Sequence, residues 1–127
     1  MIAKAKLRFV RGSARKIRLV IDLIRYCDVR RALDILATTN KRSSAMLAKL
    51  LKSAISNAKN KGLKEEDLYI SKIVADEAVR WKRFRAAAFG RATEILKRTS
   101  HVLIELDLNQ GHKKRLAQQK QTKTAPK

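Results

Sequence analysis

Residues 79–101 read VRWKRFRAAAFGRATEILKRTSH. Arg80, Lys82, Arg83, Arg85, Arg91, Lys97 and Arg98 stand there against a single acid, Glu94. Trp81, Phe84 and Phe89 are set among the cations, and the middle, Ala86-Ala87-Ala88-Phe89-Gly90, has no charge. A run this basic does not form a solvent-excluded core by itself, because unpaired charges are costly to bury. Nor is it linker-like, since it holds large aromatics, β-branched residues and one Gly placed for a turn. It reads as two strand arms meeting near Gly90, ordered by something anionic around them.

β-forming residues continue on both sides. From Leu68 to Arg85 come Tyr69, Ile70, Ile73, Val74, Val79 and Trp81. From Ile95 to Leu108, Val102, Ile104, Leu106 and Leu108 alternate with Leu103, Glu105 and Asp107. Two long strands joined near Gly90 make an extended hairpin. Its base, near 68–76 and 101–108, is apolar enough to pack, and its outer part, about 79–101, is the basic stretch. Residues 3–10 alternate as well, with Ala3, Ala5, Leu7 and Phe9 against Lys4, Lys6 and Arg8. That is a half-buried strand with one cationic face. The expected sheet is therefore three antiparallel strands, residues 3–10 plus the hairpin base.

Between the first strand and the hairpin the period changes from two to that of a helix. Arg11-Gly12-Ser13 breaks the strand, and Ser13 suits an N-cap. Ile17, Val20, Ile21 and Ile24 follow at helical spacing, with Arg15, Lys16 and Arg18 near the start. Cations there oppose the helix dipole, a mild cost that nearby phosphate would offset. Tyr26-Cys27-Asp28 closes this helix, and Asp28 is placed to cap a second with the stripe Val29, Ala32, Leu33 and Leu36. Thr38-Thr39-Asn40 ends it, and Asn40 or Ser43 is the expected cap of a third, longer helix. Leu47, Leu50, Leu51, Ala54, Ile55 and Ala58 trace its apolar face, and Gly62 is its stop. The expected fold class is α+β: three helices packed on one face of a small three-stranded antiparallel sheet, with a long protruding hairpin.

The totals point to the same kind of molecule. At 127 residues the chain is expected to form one domain, residues 1–108, followed by a basic tail, 109–127. The tail has no periodicity and alone should be disordered. Apolar residues make up 45%, so the chain as a whole is not disordered. Lys+Arg number 31 against 11 Asp+Glu, a formal charge of +20. Such a protein repels itself when free and calls for a dense polyanion as partner, nucleic acid before an anionic membrane. No apolar run approaches a bilayer span, and the N-terminal stretch lacks the pattern of a secretory signal. Cys27 is the sole cysteine, so no intrachain disulfide is expected.

No catalytic set stands out. There is no Gly-rich phosphate loop, and Cys27, His101 and His112 are too far apart in sequence for the close pairs of a metal site. The acids gather at 65–67 and 76–77, where turn solvation explains them. No enzyme activity, cofactor, metal or small-molecule substrate is expected. Cations interleaved with aromatics are instead a pattern for RNA contact by phosphate pairing and base stacking. A free nucleic-acid-binding architectural protein is the alternative reading, since β-ribbons also enter duplex grooves.

Several segments together resemble the family of large-subunit ribosomal protein twenty-two, the universal exit-tunnel hairpin protein of bacterial and organellar type. They are Ser13-Ala14-Arg15-Lys16-Ile17-Arg18-Leu19-Val20, Ala32-Leu33-Asp34-Ile35-Leu36 and Lys49-Leu50-Leu51-Lys52-Ser53-Ala54-Ile55-Ser56-Asn57-Ala58. The most telling is Gly90-Arg91-Ala92 followed by Ile95-Leu96-Lys97-Arg98-Thr99-Ser100-His101. The likeness runs in order over about residues 3–108. Ala14, Tyr26, Ala86-Ala87 and Phe89 depart from the family pattern, and Tyr26 stands where a Gly is usual.

The resemblance implies a structural constituent of the large ribosomal subunit, located in a cytoplasmic or organellar ribosome. Its body would sit near the tunnel exit, and its hairpin would thread inward between segments of large-subunit ribosomal RNA. Neighbouring ribosomal proteins, the nascent polypeptide and, indirectly, macrolide antibiotics are the other implied partners. On this view Arg8, Arg11, Arg15, Lys16, Arg18, Lys49 and Lys52 of the body meet RNA, with Arg80, Arg85, Arg91, Lys97, Arg98 and His101 of the arm. Trp81, Lys82, Arg83, Ala87, Ala88, Phe89, Gly90 and Arg91 would line the tunnel.

Overall fold

The structure, a computed structural model, describes residues 2–109. The expected tail past Asn109 lies outside the described residues. In chain order the elements are β1 (Ala3–Arg11), α1 (Ala14–Ile24), α2 (Val29–Thr38), α3 (Arg42–Lys59), β2 (Leu68–Ala86) and β3 (Ala92–Leu108). A single 3₁₀ turn, Glu65–Asp67, precedes β2. The strands form one antiparallel sheet in the order β1-β3-β2, so the last strand among the described residues is the central one.

Period-two alternation puts Ser100, Val102, Ile104, Leu106 and Leu108 on one face of β3, all of them buried. Ala3 and Ala5 of β1 join that face, as do Leu68, Ile70, Ile73 and Ala75 of β2. The helices cover it: α1 packs on β2, α3 on β1 and β3, and α2 on α3. Ile17, Val20, Ile21 and Ile24 of α1 and Leu47, Leu50, Leu51, Ala54, Ile55 and Ala58 of α3 are the buried stripes read from the sequence. Ala54 and Ala58 are fully buried, and their small side chains let α3 lie close to its neighbours. α+β architecture, helix count and sheet all match the sequence reading.

Helix starts depart from it in detail. Ser13 and Asp28 hold the N-cap positions of α1 and α2, but neither side chain makes a capping bond. The N-cap of α3 is Lys41, neither Asn40 nor Ser43. Thr39 and Ser44 are occupied there instead. Thr39 Oγ1 donates to the Ile35 carbonyl at 2.7 Å, and Ser44 Oγ donates to the Thr39 carbonyl at 2.9 Å. Such local side-chain bonds close one helix and start the next without a side-chain N-cap.

Three bulges shape the sheet. In β2 the core-facing residues change parity from Leu68 and Ile70 to Ile73 and Ala75, because the pairing slips between Ile70 and Lys72. Ser71, at the slip, donates its hydroxyl to the Glu105 carbonyl. The other two lie side by side. β1 slips between Leu7 and Val10, and β2 between Glu77 and Arg80, both against residues 98–102 of β3. A bulge bends its strand and increases its twist. The paired bulges mark the level at which the hairpin leaves the helices, since almost everything beyond it is exposed.

Candidate nucleic-acid interface

The elbow between body and arm is built by Thr99-Ser100-His101. Ser100, fully buried, donates its hydroxyl to the Gly12 carbonyl at 2.7 Å. Thr99, 5% exposed, donates to the Val79 carbonyl inside the β2 bulge. His101 Nδ1 accepts the Phe9 amide proton at 3.1 Å, and the two rings meet edge to face at 4.6 Å. Phe9 sits in the β1 bulge with φ 54, a conformation that leaves its amide outside the ladder. Three adjacent polar side chains thus each satisfy a backbone group that a bulge or strand end would leave unpaired.

Beyond the elbow, Arg80 to Ala86 pair with Ala92 to Arg98 without a slip. From Val79 to the turn the arm reaches about 30 Å at the usual rise per residue. Residues directly opposite share a face. One face continues the helix side of the sheet and carries Arg80, Lys82 and Phe84 against Arg98, Leu96 and Glu94. The other carries Trp81, Arg83 and Arg85 against Lys97, Ile95 and Thr93. All the acids fall on the first face. Glu94 meets Lys82 at 3.4 Å and Glu77 meets Arg80 at 2.7 Å. The second face holds cations and one aromatic, Trp81, with no acid, and Arg11 extends it by stacking its guanidinium 4.4 Å from the Trp81 ring centroid.

Like charges directly opposite are unfavourable, and Arg80 faces Arg98. Glu77 answers this. Its carboxyl is held below the ordinary value of 4.5, first by the hydrogen bond from Arg80 and then by that residue's charge; burial opposes them, and the charges of Arg98 and Arg18 add the smallest lowering effects.

The tip is a tight turn. The Arg91 amide donates to the Ala88 carbonyl at 3.3 Å, and the Ala87 amide donates to the Arg91 carbonyl at 2.8 Å. Phe89 (φ 57, ψ 37) and Gly90 (φ 64) both take positive φ, the signature of a type I′ hairpin turn. Phe89 is 98% exposed, and Ala87 and Ala88 are exposed beside it.

The expected contact residues therefore separate by place. Arg11, Arg80, Lys97 and Arg98 gather at the elbow, and Arg85 and Arg91 lie further out on the arm. Arg8, Arg15 and Lys16 are exposed beside the elbow on β1 and the first turn of α1, while Lys49 and Lys52 are exposed further along α3. Two are spent internally. Arg18 donates from Nε and Nη2 to the Ala75 carbonyl, tying α1 to β2, and His101 gives its Nδ1 to Phe9. The expected tunnel set also divides, with Trp81 at the root of the arm under Arg11 and Phe89 at its far end. The sequence reading passed over Arg42, an exposed cation in the acid-free first turn of α3. Its signal was the same one that marked Arg15 and Lys16 in α1.

Residues 5–107 match the family model described as Ribosomal protein L22p/L17e. The chain belongs to this family. Two curated relatives, each called large ribosomal subunit protein uL22, are 51% identical to it over 105 residues. They come from Thermoanaerobacter sp. (strain X514) and Thermoanaerobacter pseudethanolicus (strain ATCC 33223 / 39E). Each alignment covers 82% of this chain and 95% of the relative. The L22p/L17e match thus takes in the body, elbow and arm together, and it bears out the family read from Gly90-Arg91-Ala92 and Thr99-Ser100-His101. The family is of a structural, non-enzymatic kind.

Proposed function

We infer that this chain is a structural constituent of the large ribosomal subunit, acting in translation and residing in the ribosome. Family membership over residues 5–107 carries that conclusion. Large-subunit ribosomal RNA and neighbouring ribosomal proteins are the partners this role requires. The RNA-binding reading of the arm is supported by one observation above all: a projecting β-ribbon whose face of Trp81, Arg83, Arg85 and Lys97 has no acid. Phosphates supply the missing charge, and aromatic rings and guanidinium planes take unpaired bases.

The finer reading concerns the tunnel. The neutral turn Ala87–Gly90 faces the nascent polypeptide, and Lys82, Arg83 and Arg91 border the same space, which links them to macrolide response. Two experiments test these readings. Large subunits pelleted through high salt should retain the protein, whereas binding by charge alone falls steeply with salt. Loss of the protein from the pellet would point instead to a free architectural protein. Cells carrying Lys82→Ala with Arg83→Ala should differ from the parent in growth under a macrolide, and an identical response would remove the tunnel assignment.

A further inference from the structure

A groove runs between the elbow and the first turns of α1 and α3, with a volume of about 1190 Å³. Its rim is Arg11, Arg15, Lys16, Arg42, Lys97 and Arg98. Among the described residues its only acid is Glu77, already held by Arg80 at 2.7 Å. Its floor is different in kind. Val10, Met46 and Leu96 are half-buried there, and Leu19, 68% exposed, forms one wall.

We propose that this groove takes an unpaired nucleotide of the bound RNA, its base on the apolar floor and its phosphates on the basic rim. The proposal rests on the RNA-binding reading above and names the class of RNA feature that one part of the interface selects. A cationic rim alone would serve any phosphate backbone. The floor is what discriminates. A continuous A-form helix offers its backbone, 2′-hydroxyls and a shallow minor groove, none of which gains from apolar contact. A splayed base offers a flat apolar face and leaves its phosphates at the rim.

The rim chemistry favours a nucleotide over an acidic peptide. Of its six cations four are Arg, whose planar fork pairs with phosphate and stacks on bases. Arg11 is already placed, its guanidinium stacked on Trp81 at 4.4 Å, so less freedom is lost when it engages. Lys97 belongs both to the rim and to the acid-free face of the arm, so one strand of RNA passing over it from the groove meets that face.

The test measures affinity of the full-length protein for three RNA probes: an uninterrupted hairpin stem, the same stem with a short uridine bulge, and that bulge made of abasic ribose phosphates. Bulged RNA should bind about tenfold or more tighter than its abasic twin, the range of base-stacking contributions. Both should share one salt slope, because their phosphate counts are equal. Leu19→Gln with Met46→Gln should abolish the preference while leaving binding to the plain stem unchanged. Leu19→Gln alone, at an exposed site, should reduce it with an unaltered melting temperature. Arg83→Ala, outside the groove, should weaken all three probes alike. Equal affinity for the bulged and abasic probes, or a preference that survives both substitutions, overturns the proposal. Failure to bind any probe would overturn the RNA-binding reading itself, and the groove with it.

Discussion

Tyr26 is a bulky residue held where glycine fits best. Arg25 (φ −64, ψ 131) and Tyr26 (φ 60) are the central pair of a turn closed by the Cys27 amide on the Ile24 carbonyl at 3.3 Å. That is a type II turn, whose second central position wants Gly. Tyr26 is 69% exposed, so little packing compensates. A left-handed conformation costs a non-Gly residue roughly 1–2 kcal/mol, of which Gly's greater freedom in the unfolded chain returns part. Tyr26→Gly should therefore raise stability by about 0.5–1 kcal/mol, read as a melting temperature higher by a few degrees in calorimetry. Phe89→Asn, at the type I′ tip, should be neutral or slightly stabilising for the same reason. Glu77 supplies a pH signature. Its carboxyl titrates below 4.5, so the stabilisation from Arg80 is fully present above that value and fades as pH falls through the lowered one. Denaturation curves of Glu77→Gln and parent should differ by a constant amount above pH 5 and converge in acid.

The arm and its elbow follow different rules at the scale of elements. The elbow is buried and hydrogen-bonded, so Ser100→Ala, which leaves the Gly12 carbonyl without its partner, should cost about 1–3 kcal/mol in chemical denaturation. The arm is exposed, so Lys82→Ala with Arg83→Ala should leave the stability of the free protein within about 0.5 kcal/mol of the parent. The hairpin was legible because long β-forming runs flank one turn-compatible Gly. Its two faces were not. Core-side residues of β2 are even-numbered at Leu68 and Ile70, odd at Ile73 and Ala75, and even again at Arg80 and Lys82, after one slip and then another. Period-two reasoning carries a face forward only until the first bulge. Thr99-Ser100-His101 stood out as a family signature before its physical cause was apparent. That cause, three backbone groups to be satisfied at two bulges and a strand end, depends on strands far apart in sequence.

At the scale of the molecule, the body is a single apolar layer between one sheet face and three helices, centred on β3. Ile104 is fully buried at its middle, and Ile104→Ala should cost about 2–5 kcal/mol in denaturant unfolding. This layer was the most legible part of the chain, since the helical stripes and the alternation of β3 repeat over several turns or pairs. The groove was the least legible. It joins residues 10–19, 42–46, 77 and 96–98, and no local pattern announces a surface assembled from four segments.

The strand order also sets a schedule. β1 and β2 do not pair with each other; each waits for β3, which is synthesised after both. At ordinary synthesis rates β1 exists for roughly five to twenty seconds before its partner is complete. Throughout that interval β1 has no strand to pair with, so the sheet closes only once β3 is made.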